Sequence, residues 1–135
     1  MNAIDTAIYS RLQGTGALTT LLSGTTAIYH LQTPDGATLP YVVWSIQAGG
    51  DENLSRHRVK QLVYFVRGYS GVSAAQAGSI DAQLDTALHL VPLTVSGWTD
   101  LWLAREQDLE LVEIQPSGRQ IFTAGGLYRQ ITEKN

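Results

Sequence analysis

Three histidines, one serine set between glycines and two groups of carboxylates are the side chains of this 135-residue chain that could do chemistry. A zinc site needs ligands in closely spaced pairs. His30, His57 and His89 have no such partner on a common helix face, and the chain has no cysteine, so thiolate ligands and disulfides are excluded. A nucleophile elbow needs Gly-x-Ser-x-Gly at the end of a strand. Gly68-Tyr69-Ser70-Gly71-Val72 breaks that pattern at its fifth residue and reads instead as a strand-to-helix turn. Gly14-Thr15-Gly16 is too short to cradle a phosphate and follows no strand. Asp81 and Asp85 stand four apart and read as a solvated helix face. Glu106, Asp108, Glu110 and Glu113 form an acidic run with no base between Arg105 and Arg119. A catalytic carboxylate pair needs surroundings that push its two pKa values apart, and nothing in the sequence supplies them. The residues point away from an enzyme, and no cofactor or metal is expected.

The more specific local feature is a stripe of charge. Asp51 and Glu52 precede Arg56, Arg58 and Lys60, which recur at every second position before the apolar run Leu62–Val66. On a strand this alternation puts the three bases on one face. Such a face suits edge protection, phosphate contact or docking on a neighbour. The acidic run is the natural complement for docking. The candidate interface is therefore Asp51, Glu52, Arg56, Arg58, Lys60, Glu106, Asp108 and Glu110. A net charge of −3 excludes nucleic-acid binding by bulk attraction.

The elements that must position these residues follow from periodicity. Residues 3 to 13 place Ile4, Ala7, Ile8 and Leu12 at helical spacing, and Gly14 stops them. Thr15 can cap a second short helix. Residues 25 to 32 read as a short strand or extended arm, and Thr33-Pro34-Asp35-Gly36 as a turn. Tyr41–Gln47 is a strand ended by Gly49 and Gly50. A polar tip then leads to a second strand from about Arg56 to Tyr69, giving a long hairpin. Residues 73 to 90 form the principal helix, with Ser73 as candidate N-cap, Ala77, Ile80, Leu84, Ala87, Leu88 and Val91 on one face and Pro92 as its stop. Gly78 within it suggests close packing on the sheet. Two or three further strands follow, with Gly125 and Gly126 as a bulge or tight bend. The order predicts a single α+β domain over residues 1–135, an antiparallel sheet with a long hairpin packed against one long helix and a helical N-terminus. The N-terminus carries no signal-peptide pattern, and no apolar run is long enough to span a membrane.

The whole pattern resembles a known family from about Ala7 to Ile131. An amphipathic helix leads to Ala27-Ile28-Tyr29-His30. Leu39-Pro40-Tyr41-Val42-Val43 opens a strand, Val59–Phe65 forms the next, and a helix begins at Ala74-Ala75. Gly126-Leu127-Tyr128-Arg129-Gln130-Ile131 closes it. This is similar to the tail completion proteins of long-tailed phages, related in fold to the tail terminators. The resemblance implies a virion protein, assembled in the host cytoplasm, that forms a homo-oligomeric ring, commonly a hexamer. The ring would cap the tail tube, join the head–tail connector and let DNA pass through its lumen without sequence-specific binding. The alternative from another class is a small ligand-binding or enzymatic domain with a pocket between sheet and helix, which a cavity lined by Trp44, Trp98 or Trp102 would favour.

Overall fold

The structure, a computed structural model, describes residues 2–53 and 56–135. Helix α1 (Ala3–Gln13) is capped by Asn2, whose side chain accepts a hydrogen bond from the Asp5 N–H at 2.8 Å. Helix α2 (Gly16–Thr19) is a single turn. Its preceding Thr15 does not cap it through the side chain, because that hydroxyl donates back to the Arg11 carbonyl. Strands β1 (Ile28–His30), β2 (Tyr41–Glu52) and β3 (Val59–Ser70) follow, then helix α3 (Ala74–Leu88) and strands β4 (Trp98–Ile114) and β5 (Gln120–Lys134).

The five strands form one sheet in the order β1-β2-β3-β5-β4. All pairings are antiparallel except the three residues of β1, which run parallel to β2. The α+β architecture expected from the sequence is the one observed, with β1 making the sheet mixed. The helices cover one face. Val42, Trp44, Leu62, Tyr64, Val66 and Tyr128 from the sheet pack there against Ile4, Ile8, Leu12, Ile80 and Leu84, all buried. Each fully buried aliphatic side chain of this kind stabilises by about 1.5–3 kcal/mol. Arg11 ties the two long helices together, donating to the carbonyls of Ala87 (3.2 Å) and Pro92 (2.5 Å) at the end of α3. The Ala87 carbonyl belongs to the last turn of the helix, where a cation is favoured, and Pro92 lies in the segment beyond it.

Several expectations change. Strand β2 does not stop at Gly49 and Gly50 but continues to Glu52. It takes a bulge between Ile46 and Ala48, and Gly49 lies at φ 146°, where a Cβ would fall 2.5 Å from the Gln61 carbonyl oxygen. Gly125 and Gly126 make no bulge, since β5 runs straight through them. They are needed for close approach: a Cβ at Gly125 would lie 2.2 Å from the Val66 carbonyl oxygen, and one at Gly126 2.6 Å from Arg105 Nε. The bulges sit in β4, between Asp100 and Trp102 and between Arg105 and Gln107. Gly78 faces open space, and the tight helix–sheet contact falls at Gly68, where a Cβ would meet Ile80 at 2.5 Å.

Candidate functional site

The charged stretch is not a stripe. Strand β3 begins at Val59, so Arg56 and Arg58 precede it and share no strand face with Lys60. Arg58 pairs with Asp51 at 3.3 Å. Gln61 donates to Glu52. Lys60, half-buried, places its ammonium 5.8 Å from the Trp98 ring centroid. Arg56 is exposed, and the polar tip runs on through Leu54 and Ser55, which lie outside the described residues. The tip is also less of a free arm than its composition suggests. Strand β5 accompanies β3 to Val59↔Glu133, and the Lys134 N–H donates to the Arg58 carbonyl at 2.8 Å.

The acidic run divides by partner. Glu106, the extra residue of the second β4 bulge, accepts from Arg129 Nε at 2.6 Å. Asp108 accepts from Arg105 Nε at 2.5 Å and is otherwise exposed. Glu110 and Glu113 are exposed. Register separates this run from the hairpin tip. Lys60 lies beside Thr132, whereas Asp108 lies beside Gly126, which faces Val66. From Lys60 to Val66 is six residues of strand, or ~20 Å. Asp108 and Glu110 thus lie well along the sheet from the candidate bases, whereas Glu106 is joined to the hairpin through Arg129, which also donates to Gln61 at 3.2 Å.

A charge cluster that the sequence reading missed joins α3 to the sheet. Arg105 donates to both oxygens of Asp81, at 2.7 and 2.8 Å, to the Gly125 carbonyl at 2.7 Å and to the Tyr128 hydroxyl at 3.1 Å. Asp85 lies 3.9 Å away. Asp81 is therefore a partner of the sheet and not part of a solvated helix face. Burial alone would lower the Arg105 pKa, but the hydrogen bonds to Asp81 and the electrostatic attraction of Tyr128 and Asp81 outweigh it and raise the net value. Burial also raises the Tyr128 pKa, partly offset by Arg105. The bidentate geometry is the strong form of this pair. Spacing of Asp81 and Asp85 on α3 was the available signal. Their partner comes from β4, and no local pattern announces it.

The serine and two of the histidines singled out in the sequence have structural partners. Ser70 is buried and donates to Gln76 while accepting from the N–H groups of Val72 and Ser73. It closes the β3–α3 turn. His30 stacks on Trp44 at 4.2 Å, and His89 Nδ1 accepts from the Arg105 N–H at 3.0 Å. Among the described residues no group of His, Asp or Glu is placed to hold a metal. The tryptophans line no common pocket: Trp44 is core, Trp98 is half-buried beneath Lys60, and Trp102 projects from the opposite face beside Ile131. No described helix is long and apolar enough to cross a membrane.

Exposed apolar residues occur at several places on the surface. Strand β4 is one edge of the sheet. Beyond Arg105 it exposes Leu111, Val112 and Ile114, the last at 72%. At its other end Leu101 and Trp102 are exposed together with Leu90, which holds φ 56°. The opposite edge is β1, too short to cover β2 beyond Trp44, and there Leu31 is 63% exposed at φ 71°. Two exposed leucines in a conformation that costs such residues energy sit on the two sides of the sheet. The face without helices carries half-buried Val63, Phe65, Leu127 and Ile131, with the Arg67 guanidinium 4.3 Å from the Phe65 ring.

The family model described as tail completion protein gp17 matches residues 6–119. The chain belongs to this tail completion family. Its fold is shared with a chain from a solved structure titled the virion of a native gene transfer agent particle. The TM-score is 0.70 and the identity 19%, over 97% of this chain and 95% of that one. A second solved structure matches with a TM-score of 0.61 and 16% identity, over 98% and 94% of the two chains. No curated protein matches in sequence. A tail completion protein is a structural component of the phage virion, and that is the role of this chain.

Proposed function

We propose that this tail completion protein self-associates into a ring, commonly six-membered in form, that closes the tail tube and joins it to the head connector. DNA passes through its lumen without sequence-specific contact, and the chain has no catalytic role. The family match over residues 6–119 carries this reading.

The surface supports it in three respects. Exposed apolar residues lie on both lateral edges of the sheet, Leu31 on one and Leu90, Leu101 and Trp102 on the other. Different patches on opposite sides are what a head-to-tail contact requires, and such contacts close into rings when the rotation allows. The two ends of the sheet differ as well. One carries Arg56, Arg58 and Lys60 with Asp51 and Glu52, and the other carries Asp108, Glu110 and Glu113. A ring of such subunits presents two chemically distinct faces, suited to two different partners, the tube and the connector. Leu111, Val112 and Ile114 extend the acidic end with apolar contact area.

Genetic removal of the chain tests this. Particles lacking it should accumulate as separate heads and tails, with tails of irregular length, and supply of the wild-type chain should restore joining. Normal joined virions in its absence would refute the reading.

A further inference from the structure

We infer that a row of polar side chains beside the tip of the β2–β3 hairpin, two of them fully buried and one half-buried, is a built binding site for ordered water. The row is Asp100, Gln130 and Thr132. Thr132 lies directly opposite Asp100 across the β4–β5 ladder. Gln130 is two residues from Thr132 on the same strand and so projects from the same face. Directly opposite residues have Cβ atoms ~4.5–5.5 Å apart, and same-face neighbours are little further. The three are therefore adjacent. Gln130 and Thr132 have no solvent exposure. Both side-chain polar atoms of Gln130, the Thr132 hydroxyl and Asp100 Oδ1 are buried with no hydrogen-bond partner among the described residues. Asp100 uses its other oxygen to accept from the Leu93 N–H at 2.9 Å. Buried Leu93 and Val95 belong to the segment that Asp100 fastens down, and Val95 bridges to Trp98.

Leaving a buried polar group without a partner is costly, and native interiors satisfy such groups with protein or water. The chemistry of the row selects the ligand. Asp100 Oδ1 and Gln130 Oε1 only accept, Gln130 Nε2 only donates, and the Thr132 hydroxyl does both. A cation would satisfy the oxygens and leave the Gln130 amide N–H groups facing it. An anion would meet the Asp100 carboxylate. Water donates and accepts, typically in ~3 hydrogen bonds, and is the ligand that suits the whole set. Asp100 also borders a surface cleft of about 240 Å³ with Leu90, Pro92 and Leu103, which provides a route for solvent.

A crystal structure of the full chain at a resolution that orders solvent, grown with calcium present, tests this directly. The expected result is density within ~2.7–3.2 Å of Gln130 and Thr132 polar atoms, the range of hydrogen bonds. A peak with oxygen contacts of ~2.3–2.6 Å would mark a calcium site and overturn the inference, as would a row with no density. Thermal melting gives a second measurement. In a hydrated site Thr132→Val removes a partner from bound water and lowers the melting temperature. In a dry site it removes an unsatisfied hydroxyl and raises it, which would also overturn the proposal.

Discussion

Arg105 of β4 grips Asp81 of α3 with two parallel hydrogen bonds of 2.7 and 2.8 Å. The pair bolts the long helix to the edge strand that carries the exposed acidic run. Arg105 also compensates Asp85 and Asp108. Its side chain is 11% exposed and that of Asp81 20%, so solvent screens the pair only partly. Arg105→Ala should therefore lower stability by about 2–3 kcal/mol, because it strands a partly buried carboxylate as well as removing bonds to a charged group. Asp81→Asn should cost less, since an amide still accepts from Arg105. Chemical denaturation of the two variants checks the order; equal losses would show that the pair is not held in this geometry.

Gly125 permits β5 to lie against β3 where no side chain fits. Gly125→Ala places a carbon 2.2 Å from the Val66 carbonyl oxygen and 2.8 Å from the Arg67 α-carbon, both backbone. Neither neighbour can rotate away. The expected loss is at least the ~1–3 kcal/mol of ordinary overpacking. Gly78→Ala, in a helix interior with open space around it, should instead stabilise by up to about 1 kcal/mol. The two melting temperatures should move in opposite directions.

Two buried tyrosines predict an alkaline limit. The Tyr64 hydroxyl donates to buried Asp5 at 2.9 Å, and burial followed by the Asp5 charge raises its pKa. Burial raises that of Tyr128 also. The unfolded chain titrates tyrosine near ~10, so above that pH it loses protons that the folded chain keeps. By linkage the stability these groups contribute is fully present below about pH 10 and falls as pH climbs above it. Tyr64→Phe should flatten this fall while lowering stability at neutral pH by about 1–3 kcal/mol, because Asp5 loses its donor. Denaturation midpoints across the alkaline range would show both effects; an unchanged slope would contradict the burial of Tyr64.

The sequence was informative where a rule is local. The apolar spacing of Ile80, Leu84 and Leu88, the strand through the apolar run Leu62–Val66 and the Ser73 cap of α3 all appear where pattern placed them. The errors concern what lies across strands. Arg56-x-Arg58-x-Lys60 has the period of a strand, but the chain is still turning at Arg56, and Asp51 holds Arg58 beside the turn. The Asp81–Arg105 pair spans two elements, so composition alone made Asp81 look solvated. Gly125 and Gly126 read as a bend because a glycine pair signals flexibility locally, whereas here the reason is the crowding of neighbouring strands.

The hairpin tip offers a variant that separates folding from assembly. Lys60 lies over Trp98 and Arg58 pairs with Asp51, so reversing these two also disturbs the protomer. Arg56 is exposed, and Arg56→Glu should stay within about 0.5 kcal/mol of wild-type stability. If the tip docks on an acidic surface, the same change weakens assembly, and added salt weakens the wild type in the same direction. Assembly by light scattering, beside circular dichroism, checks this. Undiminished assembly would leave Arg56 as a solvated side chain.

The central claim is that this chain works by closing a ring on a tail tube. Electron microscopy of the purified protein mixed with isolated tubes tests it most directly. The account predicts ring-shaped density seated on one end of each tube, with the same ring order throughout. Tubes left open at both ends beside a protein that stays monomeric would contradict it.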